Sequence, residues 1–304
     1  MIYVFVFIFG AIIGSFLNVV ILRYNTGESI IRSNSRCLNC GKQLFWYELI
    51  PILSFLIQKG HCRKCHSKIS WQYPIVETIT GIVFVLIFWK VWNLGIATAF
   101  GGVPPQGGRI WNLFGIWDLG FGNLLSLLLA TGYWLLIASL LIVISVYDIR
   151  HQIIPNKFVY TLIILSLVSI FLDFGHWDLF RNWDLEIRNS ALLSRILSGI
   201  GFFVFFALLW LVSRGHWMGL GDAKIALASG WLLGPIGGLI AFFMSFWLGA
   251  IFSVFLLIFA PKKFKLESRI PFGPFLALGT LIAFLFGNNI LQIYLNIAGL
   301  VGRI

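Results

Sequence analysis

The sequence predicts an all-α polytopic membrane protein with about eight transmembrane helices and a cytoplasmic zinc-ribbon-like loop after the first helix. Three observations predict this fold. The 304 residues are 59% hydrophobic and only 11% charged, whereas soluble domains carry about 25% charged residues. Apolar runs of roughly 20 residues, long enough to span a bilayer, recur along the chain. All four cysteines lie in one short polar segment, between Cys37 and Cys65.

The first apolar run, residues 1–22, contains no charged side chain. It lacks the basic start of a cleavable signal peptide, so we interpret it as a retained first span. The polar segment 23–74 follows. From Tyr24 to Pro74 it holds seven basic and two acidic residues, a net charge of +5, which places this loop in the cytoplasm and the N-terminus outside. Its short apolar stretch 49–57 is too brief to span, and either lies at the membrane interface or packs on the metal module.

The remainder, 75–304, is predicted to be one transmembrane helical domain. Its spans are expected at about 75–91, 123–147, 158–172, 191–212 and 272–286, and the run 225–260 divides at Gly234-Pro235 and Gly237-Gly238 into spans six and seven. The tail 287–304 is either a last short span or an interfacial helix. Loops 93–122 and 173–189 then lie outside. The formal charge of +11 is explained by basic cytoplasmic loops, so no nucleic-acid partner is expected.

The cysteines have the spacing of a metal site. Two C-x-x-C pairs, Cys37 with Cys40 and Cys62 with Cys65, are separated by twenty-one residues, close to the zinc-ribbon range. Four thiolates fill a tetrahedral site and leave no open position, so the predicted zinc is structural. A redox pair and unliganded thiols are the alternatives. The basic neighbours of these cysteines favour thiolate over thiol; they are Arg36, Lys42, Arg63 and Lys64. His61 and His66 could each replace a cysteine, although solvated loop histidines are the simpler interpretation.

Two aspartates stand where a long apolar run meets a loop. Asp148 ends the run 135–147, and Asp222 follows Gly219 and Gly221 just before another run. Taken alone, Asp148 could pair with Arg150, and Asp222 could cap a helix.

When the two aspartates are considered together, the predicted topology places both at the cytoplasmic face. Two carboxyl groups there can share a proton and activate water. An intramembrane aspartic protease is therefore the first hypothesis. His151 or Lys224 could tune the pair, or could be ordinary charges of the cytoplasmic face.

Other catalytic motifs are missing from the sequence. It contains no G-x-S-x-G nucleophile elbow, and neither a phosphate-binding G-x-x-x-x-G-K-[ST] loop nor an H-E-x-x-H zinc motif. A proton-coupled transporter would place its charges near the bilayer midplane, whereas these aspartates lie at the cytoplasmic edge.

Several segments, in this order along the chain, resemble the type IV prepilin peptidases, which are membrane aspartic proteases and in many members also N-methyltransferases. The matching segments are GSFLNVV at 14–20 with Arg23, the tetracysteine loop with Ile50-Pro51 and Leu53-Ser54, ISW at 69–71, YPIVE at 73–77, the Asp148 segment with Ile154-Pro155-Asn156, GLGDAK at 219–224 and PFGPFLA at 271–277.

The resemblance implies that Asp148 and Asp222 are the catalytic pair of an enzyme in the bacterial inner membrane. The implied substrates are type IV prepilins or pseudopilins, cleaved at the cytoplasmic face between a basic leader and the hydrophobic segment. The new N-terminal residue would then be methylated from S-adenosylmethionine. Pilus or secretion assembly components are possible further partners.

The methyltransferase activity depends on the resemblance, because no glycine-rich nucleotide loop of the Rossmann type occurs in the sequence. Glu48 and Glu77 could serve this activity or could be interfacial charges. Two alternatives remain open: a peptidase without methyltransferase activity, and a non-enzymatic membrane assembly factor with a structural zinc loop.

Overall fold

The computed structural model describes residues 1–99, 120–171, 190–216, 218–259, 270–297 and 299. Within these ranges the regular elements are helices, as the apolar runs predict. Six of them are long and apolar enough to cross a bilayer: Ile2–Arg23, Gln72–Asn93, Leu124–His151, Leu192–Ser213, Leu220–Phe259 and Gly273–Ile297. The predicted all-α, multi-pass membrane class is therefore confirmed.

The helices in chain order are α1 (Ile2–Arg23), a 3₁₀ turn (Trp46–Glu48), α2 (Leu53–Ile57), α3 (Gln72–Ala99), α4 (Gly120–His151), α5 (Asn156–Phe171), α6 (Ser190–Ser213), α7 (Leu220–Phe259) and α8 (Gly273–Ile297). The chain divides into two compact units, residues 1–143 and 144–304. The three-part division 1–22, 23–74 and 75–304 remains a prediction. The loops predicted outside lie largely beyond the described residues, as does the basic segment 260–269.

In the first unit, α1 and α3 pack with their backbones in contact. A Cβ built on Gly10 would lie 2.8 Å from Gly81 Cα, and one on Gly14 would lie 2.8 Å from Glu77 Cα. Glycines one turn apart allow this approach in a membrane, where close packing holds helices together. Near the end of α1, buried Asn18 donates to the carbonyl of Tyr73 over 3.3 Å. These contacts fix the depth of α3 relative to α1.

In the second unit, α7 consists of two antiparallel arms, 220–233 and 235–259. Gly234 between them has φ 71° and ψ −171°, a conformation that glycine alone adopts readily. Ser229 in the first arm and Ser245 in the second would be about 24 Å apart in a straight helix. Both instead contact neighbouring residues of α8: Ser229 Oγ lies 2.7 Å from Thr280 Oγ1, and Ser245 Oγ contacts Gly279. The chain therefore turns back at Gly234, where the sequence predicts the division between spans six and seven.

The two arms, the shorter apolar helix α5 and the other five long helices give the eight apolar helical segments that the sequence predicts. The first arm lies against α6, where a Cβ on Gly230 would be 2.6 Å from Gly199 Cα. The second arm contacts α6 through the rings of Phe242 and Phe206, whose centroids are 5.7 Å apart. It contacts the residue before α8 through the rings of Phe246 and Phe272, whose centroids are 5.0 Å apart. Residues 287–297 continue α8, so this part of the tail is neither a separate span nor an interfacial helix.

Candidate active site and metal centre

Asp148 lies in the last turn of α4 and is buried, with 4% of its surface exposed. The backbone N–H of Gly273 is within hydrogen-bonding reach of its carboxylate. Gly273 begins α8, and a helix N-terminus carries a partial positive charge that favours an anion. A Cβ on Gly273 would lie 2.6 Å from Asp148 Oδ2, so glycine at this position makes room for the carboxylate.

Asp222 lies in the first turn of α7 and is also buried, at 5% exposure. Its Oδ2 accepts a hydrogen bond from the N–H of Gly219, 3.3 Å away. This is the return half of a capping box, with Gly219 at the N-cap position. Helix capping therefore explains the position of one carboxylate oxygen of Asp222, Oδ2. The other, Oδ1, is buried and has no hydrogen-bond partner among the described residues.

Ile154, in the loop between α4 and α5, contacts the glycines beside both aspartates. A Cβ on Gly221 would lie 2.8 Å from Ile154 Cβ, and one on Gly273 would lie 3.5 Å from Ile154 Cδ1. The starts of α7 and α8 thus meet at one side chain. The second unit therefore brings the two predicted aspartates into one buried site.

Lys224 and His151, which could have tuned the aspartate pair, contact other side chains nearby. Lys224 Nζ donates to Asn156 Oδ1 over 2.9 Å and to Tyr160 Oη over 3.2 Å, so it joins the first arm of α7 to α5. The His151 ring lies 4.2 Å from that of Tyr147. Lys224 therefore helps to position the helix that carries Asp222, through contacts that the sequence pattern does not reveal.

The four cysteines form a cluster in the first unit. Their sulfur atoms all lie within 4.8 Å of one another, and Cys37 Sγ is 3.8 Å from Cys65 Sγ. Sulfurs bound tetrahedrally at about 2.3 Å from zinc are separated by roughly 3.8 Å. The cluster therefore fits a metal ion of this kind, and Cys62, at 4% exposure, is its most buried member.

The two C-x-x-C pairs share one backbone pattern. The N–H of Cys37 donates to the carbonyl of Lys42 and that of Cys62 to Ser67, each over 2.9 Å, and the residue four positions after each first cysteine donates back to it. That residue is Gly41 in one pair and His66 in the other, with φ of 68° and 53°. His66 is thus a turn residue, and the group of residues in the described chain that could hold a metal ion consists of cysteines only.

In Cys65 and Cys37, hydrogen bonds rather than the basic neighbours named above are the main cause of thiolate character, whereas the pKa of Cys40 is raised to about 11. The pKa of Cys65 is lowered to about 5, chiefly by the side-chain and backbone hydrogen bonds of Ser67. The hydroxyl of Ser67 lies 3.1 Å from Cys65 Sγ. The pKa of Cys37 is lowered mainly by the backbone N–H of Cys40. Sequence reasoning missed Ser67 because a lone serine carries no spacing signal.

Glu48 joins the two cysteine pairs. Its carboxylate lies 2.9 Å from Lys42 Nζ and 4.0 Å from Arg63 Nε. Burial of Glu48 opposes its ionisation, but the N–H of Phe45 and the ammonium of Lys42 hold the pKa of Glu48 below its usual value. Two of the basic residues expected to act on the thiols are therefore engaged by this carboxylate.

Glu77 connects the cysteine loop to α3. Its Oε2 accepts a hydrogen bond from the N–H of Ile52 over 2.7 Å. Ile52 has φ 62°, an uncommon conformation for a β-branched residue. Glu48 and Glu77 are 5% and 6% exposed, so both carboxylates are buried within the protein.

Two family models match the chain. The model described as the bacterial peptidase A24 N-terminal domain matches residues 8–91, and that of the type IV leader peptidase family matches residues 135–254. The first range contains the cysteine cluster, and the second contains both aspartates.

Several similar proteins carry the same name. A prepilin leader peptidase/N-methyltransferase of Bacillus subtilis is 29% identical over 96% of this chain and 97% of that protein. The protein of that name from Pseudomonas aeruginosa is 28% identical over 95% of this chain and 92% of its own length. One from Myxococcus xanthus is 52% identical over 81 residues, 27% of this chain and 24% of that protein.

No solved structure was found to match the chain. The two family models nevertheless cover both units, and relatives of one name match nearly the whole length. The chain belongs to the type IV leader peptidase family and is a membrane peptidase.

Proposed function

We propose that this enzyme removes the basic leader from type IV prepilins or pseudopilins at the cytoplasmic face of the bacterial inner membrane, with Asp148 and Asp222 as the catalytic pair. The observation that carries the proposal is the convergence of two buried aspartates at the starts of α7 and α8. A lone carboxylate buried among apolar helices is costly, and such groups in membrane proteins are usually functional.

The proposed reaction is hydrolysis without a covalent intermediate. An ionised carboxylate takes a proton from water, whose oxygen attacks the carbon of the scissile peptide carbonyl. The protonated carboxyl donates a hydrogen bond to the carbonyl oxygen. When the tetrahedral intermediate collapses, the carbon–nitrogen bond breaks and a proton passes to the leaving amine. The two roles require two carboxyl groups that share one proton.

We assign the ionised role to Asp148. The N–H of Gly273, at the start of α8, faces this carboxylate, and neither of its oxygens is a buried atom without a hydrogen-bond partner in the described chain. Asp222 receives one backbone hydrogen bond, while its Oδ1 lies buried and unpaired within the described chain. Placing the shared proton on Asp222 leaves no buried charge on that oxygen.

The substrate assignment is supported by the names of the relatives and by the hydrophobic surroundings of the pair. A prepilin presents a basic leader in the cytoplasm followed by an apolar helix, as the resemblance implies. Cleavage at their junction requires a catalytic pair near the cytoplasmic edge of the bilayer. Basic residues in the loops of this chain support the orientation that places the pair there.

N-methylation of the new N-terminal residue from S-adenosylmethionine is the second proposed activity. It is supported by the names of the relatives and by the match to the N-terminal domain model. In the reaction, the free amine of the cleaved pilin attacks the methyl group, the sulfur–carbon bond breaks, and the amine loses a proton. We assign no residues to the methyl donor, because the sequence has no glycine-rich nucleotide loop.

The proposed role of zinc is structural. Cys37, Cys40, Cys62 and Cys65 would hold the ion with all four coordination positions filled, so it supplies no chemistry to either reaction. What it supplies is a fixed connection between the two halves of the cysteine loop, together with the ion pairs of Glu48. Metal analysis of freshly reduced protein should find about one zinc per chain.

The test of the peptidase assignment uses purified Asp148→Asn and Asp222→Asn variants with a prepilin that has a basic leader. Each substitution should reduce the cleavage rate by about 10²–10⁴-fold, because asparagine cannot exchange the proton. Glu77→Gln is the matched control: it neutralises another buried carboxylate and should still cleave. If either aspartate variant cleaved at the wild-type rate, the assignment of the catalytic pair would be disproved. If the wild-type protein itself did not cleave the prepilin, the assembly-factor alternative would be favoured.

Methylation is tested separately with labelled S-adenosylmethionine. Label should appear on the N-terminus of mature pilin and should be absent when cleavage is blocked by Asp222→Asn. Supplying the same variant with pre-cleaved pilin should restore labelling, because the methyl transfer does not need the aspartate. Active cleavage without any label would support the peptidase-only alternative.

A further inference from the structure

In the first unit, α2 has an apolar face that the described residues leave exposed. In α2, Phe55 points inward and is 8% exposed, whereas Leu53, Leu56 and Ile57 are 56%, 62% and 68% exposed. These three residues have the spacing i, i+3 and i+4, which places them on one side of a helix. Exposed clusters of this kind usually mark a contact with a membrane or a partner.

Two contacts set the depth of α2 along the membrane helices. The N–H of Ile52 donates to Glu77 Oε2 over 2.7 Å, and the ring of Phe55 lies 4.9 Å from that of Trp71. Trp71 directly precedes α3, and Glu77 lies about 7 Å along it. The start of α2 therefore lies within one glutamate side-chain length of the second turn of a membrane-spanning helix.

The same depth can be measured along α1. Glu77 packs against Gly14, where a Cβ would be 2.8 Å from Glu77 Cα. Arg23, the only charged residue in α1, marks the end of its apolar run. Gly14 lies about 13 Å before Arg23 along the helix axis. The backbone of Ile52, held at the level of Glu77, is thus below the polar boundary that Arg23 marks.

Backbone groups at that depth must find partners within the protein, because hydrocarbon offers none. The bond from Ile52 to Glu77 meets this need at the start of α2. At its other end, the exposed Lys59 follows α2 by two residues, so its ammonium can reach anionic headgroups. A segment at the membrane interface has this arrangement, with apolar side chains toward the hydrocarbon and a cation toward the headgroups.

We propose that α2 is inserted in the cytoplasmic leaflet of the bilayer, with Leu53, Leu56 and Ile57 in contact with lipid acyl chains. The cysteine loop is then anchored to the membrane at a third point, in addition to α1 and α3. This proposal does not depend on the identity of the substrate or on the methyl transfer.

The experiment places a photo-crosslinking amino acid at position 56 of the full-length protein in nanodiscs of phosphatidylethanolamine and phosphatidylglycerol, without substrate. Mass spectrometry should find lipid adducts at position 56. The matched control is position 64, where the exposed Lys64 lies between Cys62 and Cys65. Equal adduct yields at positions 56 and 64 would overturn the proposal.

Amide hydrogen exchange is a second measurement, which needs no crosslinking amino acid in the loop. The variant Leu56→Ser/Ile57→Ser should exchange its amide hydrogens at residues 53–58 roughly tenfold faster in nanodiscs than the wild type, since it loses its apolar contact with lipid. Leu38→Ser, at an exposed position of the first cysteine pair, should leave that exchange unchanged. Protection of wild-type residues 53–58 only after a pilin is added would identify a substrate-docking face instead and overturn the proposal.

Discussion

At the residue scale, Gly273 shows how a position without a side chain determines the site. A methyl group there would stand 2.6 Å from Asp148 Oδ2, closer than a carbon and an oxygen can approach without bonding. The carboxylate would have to turn away from the N–H that faces it. The observed position of the Asp148 carboxylate therefore depends on the absence of a side chain at Gly273.

We expect Gly273→Ala to reduce prepilin cleavage by about 10²-fold, because small misplacement of a catalytic group has effects of this size. The measurement is kcat/KM with a purified prepilin. Gly201→Ala is the matched control, since a Cβ on Gly201 meets no atom within 4 Å. Full activity of Gly273→Ala would show that the contact with Asp148 has no role in catalysis.

Some residues of the site could be predicted from sequence and others could not. Asp148 and Asp222 are visible because a carboxylate beside an apolar run is uncommon, and the cysteines are visible by their spacing. Ser67 and Glu48 have no such signal. Their importance comes from hydrogen bonds and ion pairs, with Cys65 in one case and Lys42 in the other, which exist only once the loop is folded.

At the element scale, the contact between α6 and the first arm of α7 depends on two glycines. A Cβ on Gly230 would lie 2.6 Å from Gly199 Cα, which is backbone and cannot move aside as a side chain can. Gly230→Ala should therefore separate the two helices and lower the melting temperature by several degrees, a destabilisation of about 1–3 kcal/mol. A melting temperature equal to that of Gly201→Ala would contradict this packing.

The cysteine loop gives a second prediction at this scale. Cys62→Ser should lower the zinc content from about one ion to nearly none per chain, because three thiolates bind zinc more weakly than four. His66→Gly, in the same turn, should keep its zinc and should be more stable than the wild type by about 0.5–1 kcal/mol, since glycine adopts positive φ without strain. Metal analysis and thermal unfolding check the two variants together. Retention of zinc by Cys62→Ser would contradict the four-cysteine site.

The helices themselves were predictable because length and hydropathy determine what can span a bilayer. The division at Gly234-Pro235 was also visible, since both residues interrupt helices. The depth of α2 was not. Its five residues allow either an interfacial position or packing on the metal module, and the bond between Ile52 and Glu77, which supports the proposed interfacial position, exists only in the folded chain.

At the scale of the whole molecule, each of the two family models lies largely in one unit. The cysteine loop and the pair α1–α3 belong to residues 1–143, and both aspartates belong to residues 144–304. The proposed hydrolysis is thus assigned to groups of one unit. The proposed methyl transfer is supported by the match to the N-terminal domain model, which lies in the other unit, so we expect the two activities to be separable by mutation.

The reversal at Gly234 has a consequence for the lipid that surrounds the enzyme. The first arm of α7 contains about 14 residues and is about 21 Å long, less than the roughly 30 Å of hydrocarbon in a typical bilayer. The bilayer must therefore be thinner beside this arm, or water must enter to reach Asp222. Cleavage in nanodiscs should be fastest with short acyl chains and should slow as the chains lengthen, because thickening the bilayer places the aspartate farther from water.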